Sequence, residues 1–346
     1  MARNLLLRFA LVAFAATVLA PTARAQSAEE FYRGKSIQLL IGGAAGVSYD
    51  FVGRAVARHM GRHIPGNPSF HVENMPGASS LIMTNHFYNR SRRDGTTIGM
   101  PNTNVIFEPT LKLLSREGGN IQFDLDRLIW IGTPVQEPQI MALWRDGPAK
   151  SLGDMRNIKT VFGSSGTGAD NFMLPMLVSR VWGAKIEMVT GYKSPSEIFL
   201  AMDRGEVQGV SAALSTLMVN RAQWLRENRI TPLMQFGFER APEFPDLPTA
   251  IELAPDAEAA EVLRFIAAKY ALARPLALPP DTPADRVKIL RDAFDATMKD
   301  EAFLADAKKI GLEIKPIDGA TTTKMIQGVQ ATPPALVARI RAMITP

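Results

Sequence analysis

Cysteine is absent from this chain of 346 residues. Its absence excludes disulfide bonds, thiolate nucleophiles and thiolate metal ligands. A chain of this length buries enough apolar surface to be held together by its core alone. The composition is therefore that of a globular protein that needs no covalent cross-links, including one exported to an oxidising compartment.

Long apolar runs are also scarce, and the run at the start of the chain is typical of a secretory signal. Arg3 precedes an apolar stretch over residues 5–19, which Arg8 interrupts. This stretch is too short for a good membrane span, although an uncleaved anchor is the alternative. Ala23-Arg24-Ala25 is an A-x-A cleavage site. We predict that residues 1–25 are a signal peptide cut after Ala25, that the mature chain is periplasmic, and that no lipoprotein anchor exists.

Excess positive charge is small once the signal is removed. The formal net charge of +5 includes the three arginines of the signal, which contains no acidic residue, so the mature chain carries +2. A chain this close to neutrality is a poor binder of phosphate backbones. We therefore expect no nucleic-acid partner.

The glycine-rich motifs of nucleotide-binding proteins and hydrolases are incomplete. No Gly-Lys-Ser/Thr follows the glycines of residues 42–46, which excludes a P-loop, and Ala44 breaks the G-x-G-x-x-G pattern. The G-x-S-x-G elbow around Ser165 lacks its last glycine, because Thr167 stands there. We expect no cofactor.

Histidine is rare, with four residues in the chain. His59 and His63 are spaced i, i+4 but lack the acidic partner of an H-E-x-x-H metal site. We therefore predict two solvent-facing histidines on a helix and no metal site. None of the four lies in a loop that the sequence marks as a binding loop, which argues against acid–base catalysis.

What the sequence does contain is a strand, a loop of small residues and a helix near the start of the mature chain. The apolar run Ile37–Ile41 predicts a strand, and residues 42–50 form the loop. An apolar stripe at helical spacing follows, formed by Val52, Val56 and Met60.

This first loop predicts one side of an anion-binding cleft, because small residues let a ligand approach the backbone and a helix N-terminus offers free N–H donors. Ser48 is the predicted N-cap. We expect Asp50 to complement the helix dipole; within a site it would repel an anion or hold a ligand amine. A tight turn without a ligand is the alternative reading. The predicted binding residues here are Gly46, Val47, Ser48, Tyr49 and Asp50.

The same pattern recurs along the chain. A strand over residues 69–73 leads to the predicted binding residues Gly77, Ala78, Ser79 and Ser80, and a third strand leads to Asn104. Alternating strands and helices predict a parallel sheet, at whose carboxyl edge these loops meet. A further unit begins at Thr160 and a later strand ends in small residues; they supply the remaining candidates, Ser165, Thr167, Gly168, Asp170 and Ala212.

An ordered set of motifs resembles the Bug family, the periplasmic substrate-binding proteins of tripartite tricarboxylate transporters. That family opens with P-F-x-P-G-G-x-x-D-x-x-x-R, onto which Gly46, Asp50 and Arg54 fall. Its V-E-N-x-P-G-A-G-G motif is matched by Val72-Glu73-Asn74 and Pro76-Gly77-Ala78. Five later segments match in the same order: Arg93-Asp94-Gly95, Tyr192-Lys193, Gly205-Glu206-Val207, Leu247-Pro248-Thr249 and Thr282-Pro283.

The resemblance implies an α/β fold of two lobes, the type II periplasmic-binding-protein or Venus flytrap fold, with a central cleft. It places residues 26–132 and 251–346 in lobe 1 and residues 133–250 in lobe 2. In the family, the first two loops hold a ligand carboxylate through main-chain N–H groups and water, and the second lobe closes over it. The resemblance thus implies a monomer that is not an enzyme, captures a small organic acid and delivers it to membrane transporter subunits.

The departures from the family pattern also carry expectations. Gly42-Gly43 replaces Pro-Phe, Ala45 replaces the second proline, and Ser79-Ser80 replaces Gly-Gly. We expect Ser48, Ser79 and Ser80 to bind the ligand directly and displace water. Two alternative functions stay open from the sequence: a secreted α/β hydrolase using Ser165, and a ligand-sensing adaptor for a membrane receptor.

Overall fold

The computed structural model describes residues 27–112, 120–167 and 169–344. The predicted signal peptide and Gly168 lie outside the described residues. The strands are β1 (Ser36–Ile41), β2 (Ser69–Asn74), β3 (Thr97–Met100), β4 (Ile129–Thr133), β5 (Gln139–Trp144), β6 (Thr160–Ser164), β7 (Ile186–Thr190), β8 (Gly209–Ala213), β9 (Ile230–Phe236), β10 (Leu276–Leu278) and β11 (Ile317–Asp318).

Helices alternate with these strands over most of the chain. They are α1 (Ala28–Tyr32), α2 (Ser48–Met60), α3 (Leu81–Arg90), α4 (Thr103–Leu111), α5 (Asp170–Trp182), α6 (Pro195–Asp203), α7 (Leu214–Arg226), α8 (Ala257–Ala271), α9 (Ala284–Thr297), α10 (Glu301–Lys309), α11 (Gly319–Gln330) and α12 (Pro334–Ile344).

The first sheet has the strand order β11-β4-β10-β3-β1-β2. Strand β1 pairs in parallel with β2 and β3, as the alternation of strands and helices predicts. Strand β10 is antiparallel to both β3 and β4, and β11 is antiparallel to β4. The prediction of a parallel sheet therefore holds for β1, β2 and β3, which precede the first two predicted binding loops and helix α4, so the carboxyl ends of these strands share one edge.

The second sheet has the order β7-β6-β8-β5-β9. Strand β6 is parallel to β7 and β8, whereas β5 is antiparallel to β8 and β9. The chain passes from the first sheet to the second between β4 and β5, and it returns to the first sheet at β10, after helix α8. The two sheets thus carry the two-lobed α/β architecture expected from the sequence.

The predicted helical stripe packs against the first sheet. Val52, Val56 and Met60 of α2 are buried in one cluster with Leu39 and Ile41 of β1. This burial is the reason that a helix with a polar outer face forms here, because most helical stability in proteins comes from packing an apolar face. It also fixes the N-terminus of α2 above the carboxyl end of β1.

A second apolar cluster contains buried residues of both sheets. Leu40 of β1, Met141 of β5 and Phe162 of β6 belong to it, together with residues of α8 and α12. Packing around α8 therefore links the two sheets beneath the cleft, and it brings the end of α8 to the edge where the predicted binding loops meet.

The predicted N-cap of α2 is wrong by one residue. Val47 holds the cap position with an extended backbone (φ −95°, ψ 169°), and no side chain in the described part of the chain caps this helix. Ser48 is the first helical residue, and its Oγ accepts a hydrogen bond from Arg274 Nη2 at 2.8 Å. The Ser48 hydroxyl, which the sequence predicts as the helix cap, is therefore hydrogen-bonded to Arg274, a residue far away in the sequence.

The prediction of solvent-facing histidines is also wrong. His59 Nε2 lies 3.1 Å from Asp306 Oδ2, and His63 Nε2 lies 2.7 Å from Asp300 Oδ2. Both aspartates belong to the α10 region, which packs on α2 and leaves the histidine side chains only 12% and 24% exposed. His59 lies on α2 and His63 in the single 3-10 turn that follows it, Gly61–His63, and their spacing in sequence could not show the helix that covers both.

No helix within residues 27–112 or 120–344, Gly168 aside, is long and apolar enough to cross a membrane. Over the same described residues, no group of three or more histidine, aspartate and glutamate side chains is arranged to hold a metal ion.

Candidate functional site

Two adjoining cavities lie in the cleft between the two sheets. The larger, which we call the apolar cavity, has a volume of about 430 Å³. The smaller, which we call the polar cavity, has a volume of about 270 Å³. Asn104 and Lys269 line both, so the two cavities meet at these side chains.

Helices from both sides of the cleft build the apolar cavity. Phe107 of α4 and Phe265 of α8 meet edge to face, with ring centroids 5.2 Å apart and an interplanar angle of 85°. Lys269 is the one basic side chain among its described lining residues, and Glu108 is the one acidic side chain. The complete set is Ser79, Asn104, Phe107, Glu108, Leu111, Ser165, Gly166, Ala169, Met173, Phe265, Ile266, Lys269 and Ile344.

The polar cavity is organised by a buried ion pair. Arg274 Nη1 lies 2.7 Å from Glu137 Oε2, and their side chains are 8% and 12% exposed. Glu137 also accepts from the Ser215 N–H at the start of α7, at 3.3 Å. Arg274 itself has a left-handed backbone (φ +58°), which non-glycine residues adopt at a cost. The backbone is therefore strained at Arg274, where the chain returns from α8 to the first sheet. The guanidinium of this residue lies in the polar cavity.

A second ion pair lies where the two cavities meet. Lys269 Nζ is 2.5 Å from Asp170 Oδ1 in the first turn of α5. The ammonium has three N–H donors, so this contact leaves donors for a ligand. Burial raises the pKa of the neighbouring Tyr270 well above its usual value, and the negative charge of Asp170 raises it further. Tyr270 is therefore a neutral phenol at physiological pH.

Loop 1, residues 42–47, is held in place from behind by Asp50. The Gly46 N–H donates to Asp50 Oδ2 at 2.9 Å, and Arg54 Nε donates to Oδ1 at 2.8 Å. Burial alone would raise the pKa of Asp50, but the bonds from Gly46 and Asn74 and the charge of Arg54 hold it below its usual value. Asp50 is 4% exposed and lines neither cavity, so its carboxylate supports the loop and is not placed to contact a ligand there.

Loop 2, residues 75–80, has an unusual backbone. Gly77, Ala78, Ser79 and Ser80 have φ values of +130°, +44°, +49° and +80°. Left-handed conformations in non-glycine residues cost about 1–3 kcal/mol each, and they concentrate at ligand sites. Ser79 reaches the apolar cavity, whereas Ser80 is buried and its Oγ has no partner among the described residues.

Loop 3, residues 165–167 and 169, is held by Asn171 from the first turn of α5. Asn171 Oδ1 accepts the Ser165 N–H at 3.0 Å, and Asn171 Nδ2 donates to Ser165 Oγ at 3.0 Å. Ser164 Oγ lies 3.0 Å from the same Asn171 oxygen. The serine hydroxyl at the cleft is thus a positioned hydrogen-bonding group.

Tyr49 connects loop 1 to helix α4. Its hydroxyl lies 2.9 Å from Thr103 Oγ1 and accepts the Thr103 N–H at 3.1 Å. The Asn102 side chain accepts the Asn104 N–H at 2.9 Å and caps the same helix. These bonds position the first turn of α4, which carries Asn104 to the junction of the two cavities.

The structure brings six of the predicted site residues to the cavities: Ser48, Tyr49, Ser79, Asn104, Ser165 and Asp170. Gly46, Val47, Gly77, Ala78 and Thr167 lie on the three loops without lining either cavity. Asp50 and Ser80 are buried behind their loops. Ala212 lies in the apolar core of the second sheet, and its neighbour Ala213 lines the polar cavity, because successive strand residues point to opposite faces.

Sequence reasoning missed the side chains that α8 and its end contribute. The sequence predicts the site from loops of small residues, and none of these loops contains Lys269, Tyr270 or Arg274. One signal was present: Lys269 is the one charged residue between Arg264 and Arg274, in an otherwise apolar stretch. A lone charge in an apolar helix is costly to bury unless it is paired, which marks it as a candidate.

Comparisons with known proteins identify the family and the fold of the chain. The profile described as "Tripartite tricarboxylate transporter family receptor" matches residues 52–341. None of the curated proteins compared with the chain matches it. A TctC solute-binding protein from Polaromonas, solved without a ligand, superposes with a TM-score of 0.70 at 18% identity, over 89% of this chain and 99% of that one.

Two ligand-bound structures share the fold. A protein of R. palustris with adipate has a TM-score of 0.60 at 19% identity, over 90% of this chain and 97% of that chain. MatC from Rhodopseudomonas palustris with bound malate has a TM-score of 0.56 at 17% identity, over 90% and 99%. These likenesses show the two-lobed periplasmic-binding-protein fold, and the profile match shows that the chain belongs to the tripartite tricarboxylate transporter receptor family of solute-binding proteins.

Proposed function

We propose that this receptor captures a small carboxylate in the cleft between its two sheets and delivers it to the membrane subunits of a tripartite transporter. The observation that carries the proposal is the convergence of loops 2 and 3, Asn104 and Lys269 on adjoining cavities. Hydroxyl, amide and ammonium donors together suit a carboxylate, since hydrogen bonds to an ionised group are about twice as strong as neutral ones.

The relatives support an acidic ligand. Adipate and malate are bound by two proteins of the same fold, and both are small organic acids. In this chain we propose Lys269 on α8 as a binding residue, together with five predicted residues that line the cavities: Ser48, Tyr49, Ser79, Asn104 and Ser165. Asp170, the sixth predicted residue there, holds Lys269 in place. The remaining described predicted residues of the three loops shape those loops in this proposal, and Gly168 stays a predicted binding residue.

We propose that binding occurs without turnover. Ser165 is the one nucleophile candidate that the sequence raised, and its hydroxyl is bonded to the Asn171 amide. A serine nucleophile needs an adjacent general base. None of the four histidines lines either cavity.

The proposal extends to location and organisation. We infer a periplasmic monomer released by cleavage after Ala25, with residues 26–132 and 251–346 in lobe 1 and residues 133–250 in lobe 2. The strand order supports these bounds, because β4 ends in the first sheet at Thr133 and β5 begins in the second at Gln139. Two lobes joined in this way close on a ligand by a hinge motion.

A thermal-shift screen of residues 26–346 against small organic acids tests the proposal. A ligand at a hundredfold excess over its Kd stabilises the folded chain by about 2.7 kcal/mol. The matched control for each acid is its primary amide, which keeps the shape and removes the charge. Stabilisation by an acid and not by its amide supports carboxylate capture; a screen in which no acid stabilises the chain contradicts it.

A further inference from the structure

Among the described residues that line the apolar cavity, Lys269 is the one basic group. Asn104, Ser79, Ser165 and Lys269 provide its hydrogen-bonding groups, and Lys269 and Asn104 are also shared with the polar cavity. Beyond them and the buried Glu108, the described lining is aromatic and aliphatic, with Phe107, Phe265 and Met173 among its members. A ligand that fills this space therefore has its charge at one end only.

Resting on the function proposed above, we propose that the ligand class is a monocarboxylate with an extended apolar body, alkyl or aromatic. Its carboxylate lies beside Lys269 and Asn104, and its body lies in the apolar cavity against Phe107 and Phe265. The volume of about 430 Å³ is within the range of about 300–1,000 Å³ that small-molecule sites occupy. The edge-to-face ring pair also gives an aromatic body a surface on which to pack.

The lining disfavours a second carboxylate at the far end of the ligand. Glu108 is the one acidic side chain among the described lining residues; it is buried and has an interaction partner of its own, and it offers no positive charge to a second carboxylate. Among the described lining residues, no cation besides Lys269 is available to a second charge. Burying a charge without a partner is strongly unfavourable, so dicarboxylates that extend into this space bind more weakly than monocarboxylates of equal length.

Calorimetric titration of residues 26–346 with straight-chain monocarboxylates from acetate to octanoate tests this inference. Each added methylene that enters the cavity tightens binding by about fourfold. Octanoate has two matched comparators of equal length: suberate, which adds a second carboxylate, and 1-octanol, which lacks a carboxylate. We expect both to bind at least about tenfold more weakly than octanoate.

Two matched variants locate the apolar body. Ala169 and Ala213 are the residues that precede α5 and α7; Ala169 lines the apolar cavity and Ala213 the polar cavity. Ala169→Leu fills the apolar cavity and is expected to abolish the gain in affinity from butanoate to octanoate. Ala213→Leu is expected to leave that gain unchanged, whatever its effect on the absolute affinity.

The outcomes separate this inference from the proposed function. If malate, adipate or suberate binds as tightly as octanoate or more tightly, the monocarboxylate inference is overturned and carboxylate capture stands. If Ala169→Leu keeps the chain-length gain, or Ala213→Leu loses it, the apolar body does not lie where we place it. If no carboxylate of any series binds, the proposed function itself fails.

Discussion

Ser80 Oγ occupies the space that a side chain on residue 42 would need. A Cβ built on Gly42 would lie 1.7 Å from Ser80 Oγ and 2.7 Å from Ser80 Cβ. The Bug family pattern has proline where this chain has Gly42, and glycine where it has Ser80. In the family the side chain is therefore at the position of residue 42, whereas in this chain it is at residue 80. The two departures are far apart in the sequence, but they concern one space in the structure, which the Ser80 side chain occupies because residue 42 has none.

Gly42→Ala is therefore expected to destabilise the fold by about 1–3 kcal/mol, the usual cost of inserting a methyl group into a filled space. Adding Ser80→Gly removes the clash and a left-handed serine together, and should restore most of the lost stability. Urea unfolding of the two single variants and the double variant gives the coupling free energy, which we expect at about 0.5–3 kcal/mol.

Ser79→Gly is the matched control for that rescue. Ser79 also has a left-handed backbone, but it is exposed and does not approach Gly42. Glycine there relieves similar backbone strain without opening space at residue 42. Equal rescue of Gly42→Ala by Ser79→Gly and by Ser80→Gly would show that backbone strain, and not the filled space, links the two positions.

The fold and part of the site were readable from the sequence, for identifiable physical reasons. The stripe of Val52, Val56 and Met60 predicts α2 because helical period and burial coincide there. Loops of small residues after strands predict the cleft edge because parallel strands end together. Lys269 and Arg274 escaped prediction because they come from a helix and its end, and only the packing of α8 between the sheets brings them to the loops.

Lys269 is expected to dominate the charge recognition of a bound carboxylate. Lys269→Met removes the ammonium and leaves Asp170 without its partner. The ligand carboxylate then loses its attraction to the ammonium and is repelled by the unpaired Asp170 carboxylate. A hydrogen bond to a charged group contributes about 1.5–3 kcal/mol, which predicts binding weaker by about tenfold to a hundredfold. Calorimetric titration with the best acid from the thermal-shift screen measures the loss.

Two further variants separate this effect from general damage. Asp170→Asn leaves the ammonium without a competing carboxylate, so we expect tighter binding of the same acid. Lys288→Met breaks an exposed ion pair with Asp292 on α9, outside both cavities, and should not change the affinity. Unchanged affinity in Lys269→Met would place the ligand away from this side chain.

The buried Arg274–Glu137 pair is expected to contribute to stability across the cleft. Arg274→Met leaves the Glu137 carboxylate buried and uncompensated, and breaking such a pair costs about 3–5 kcal/mol. Adding Glu137→Gln removes the stranded charge and should recover a large part of that loss. Urea unfolding of the three variants at neutral pH tests the order of their stabilities.

Arg339→Met provides the comparison for that pair. Arg339 pairs with Glu258 at the surface, where both side chains are about half exposed, and surface pairs contribute about 0–1 kcal/mol. A loss in Arg274→Met no larger than the loss in Arg339→Met would mean that the buried pair is not a stabilising link.

Asp50 should make the stability of loop 1 depend on pH. The pKa of Asp50 is lower in the folded chain than the unfolded value of about 3.9, so its ionised form stabilises the fold at higher pH, and this contribution is lost as the pH falls through the folded pKa. Asp50→Asn should cost about 1–2 kcal/mol at pH 7, with the difference from the parent chain shrinking below about pH 4. Urea unfolding from pH 7 to pH 3 measures it, with the exposed Asp292→Asn as the control for net charge. A difference that stays constant over this range would show that the charge of Asp50 does not hold the loop.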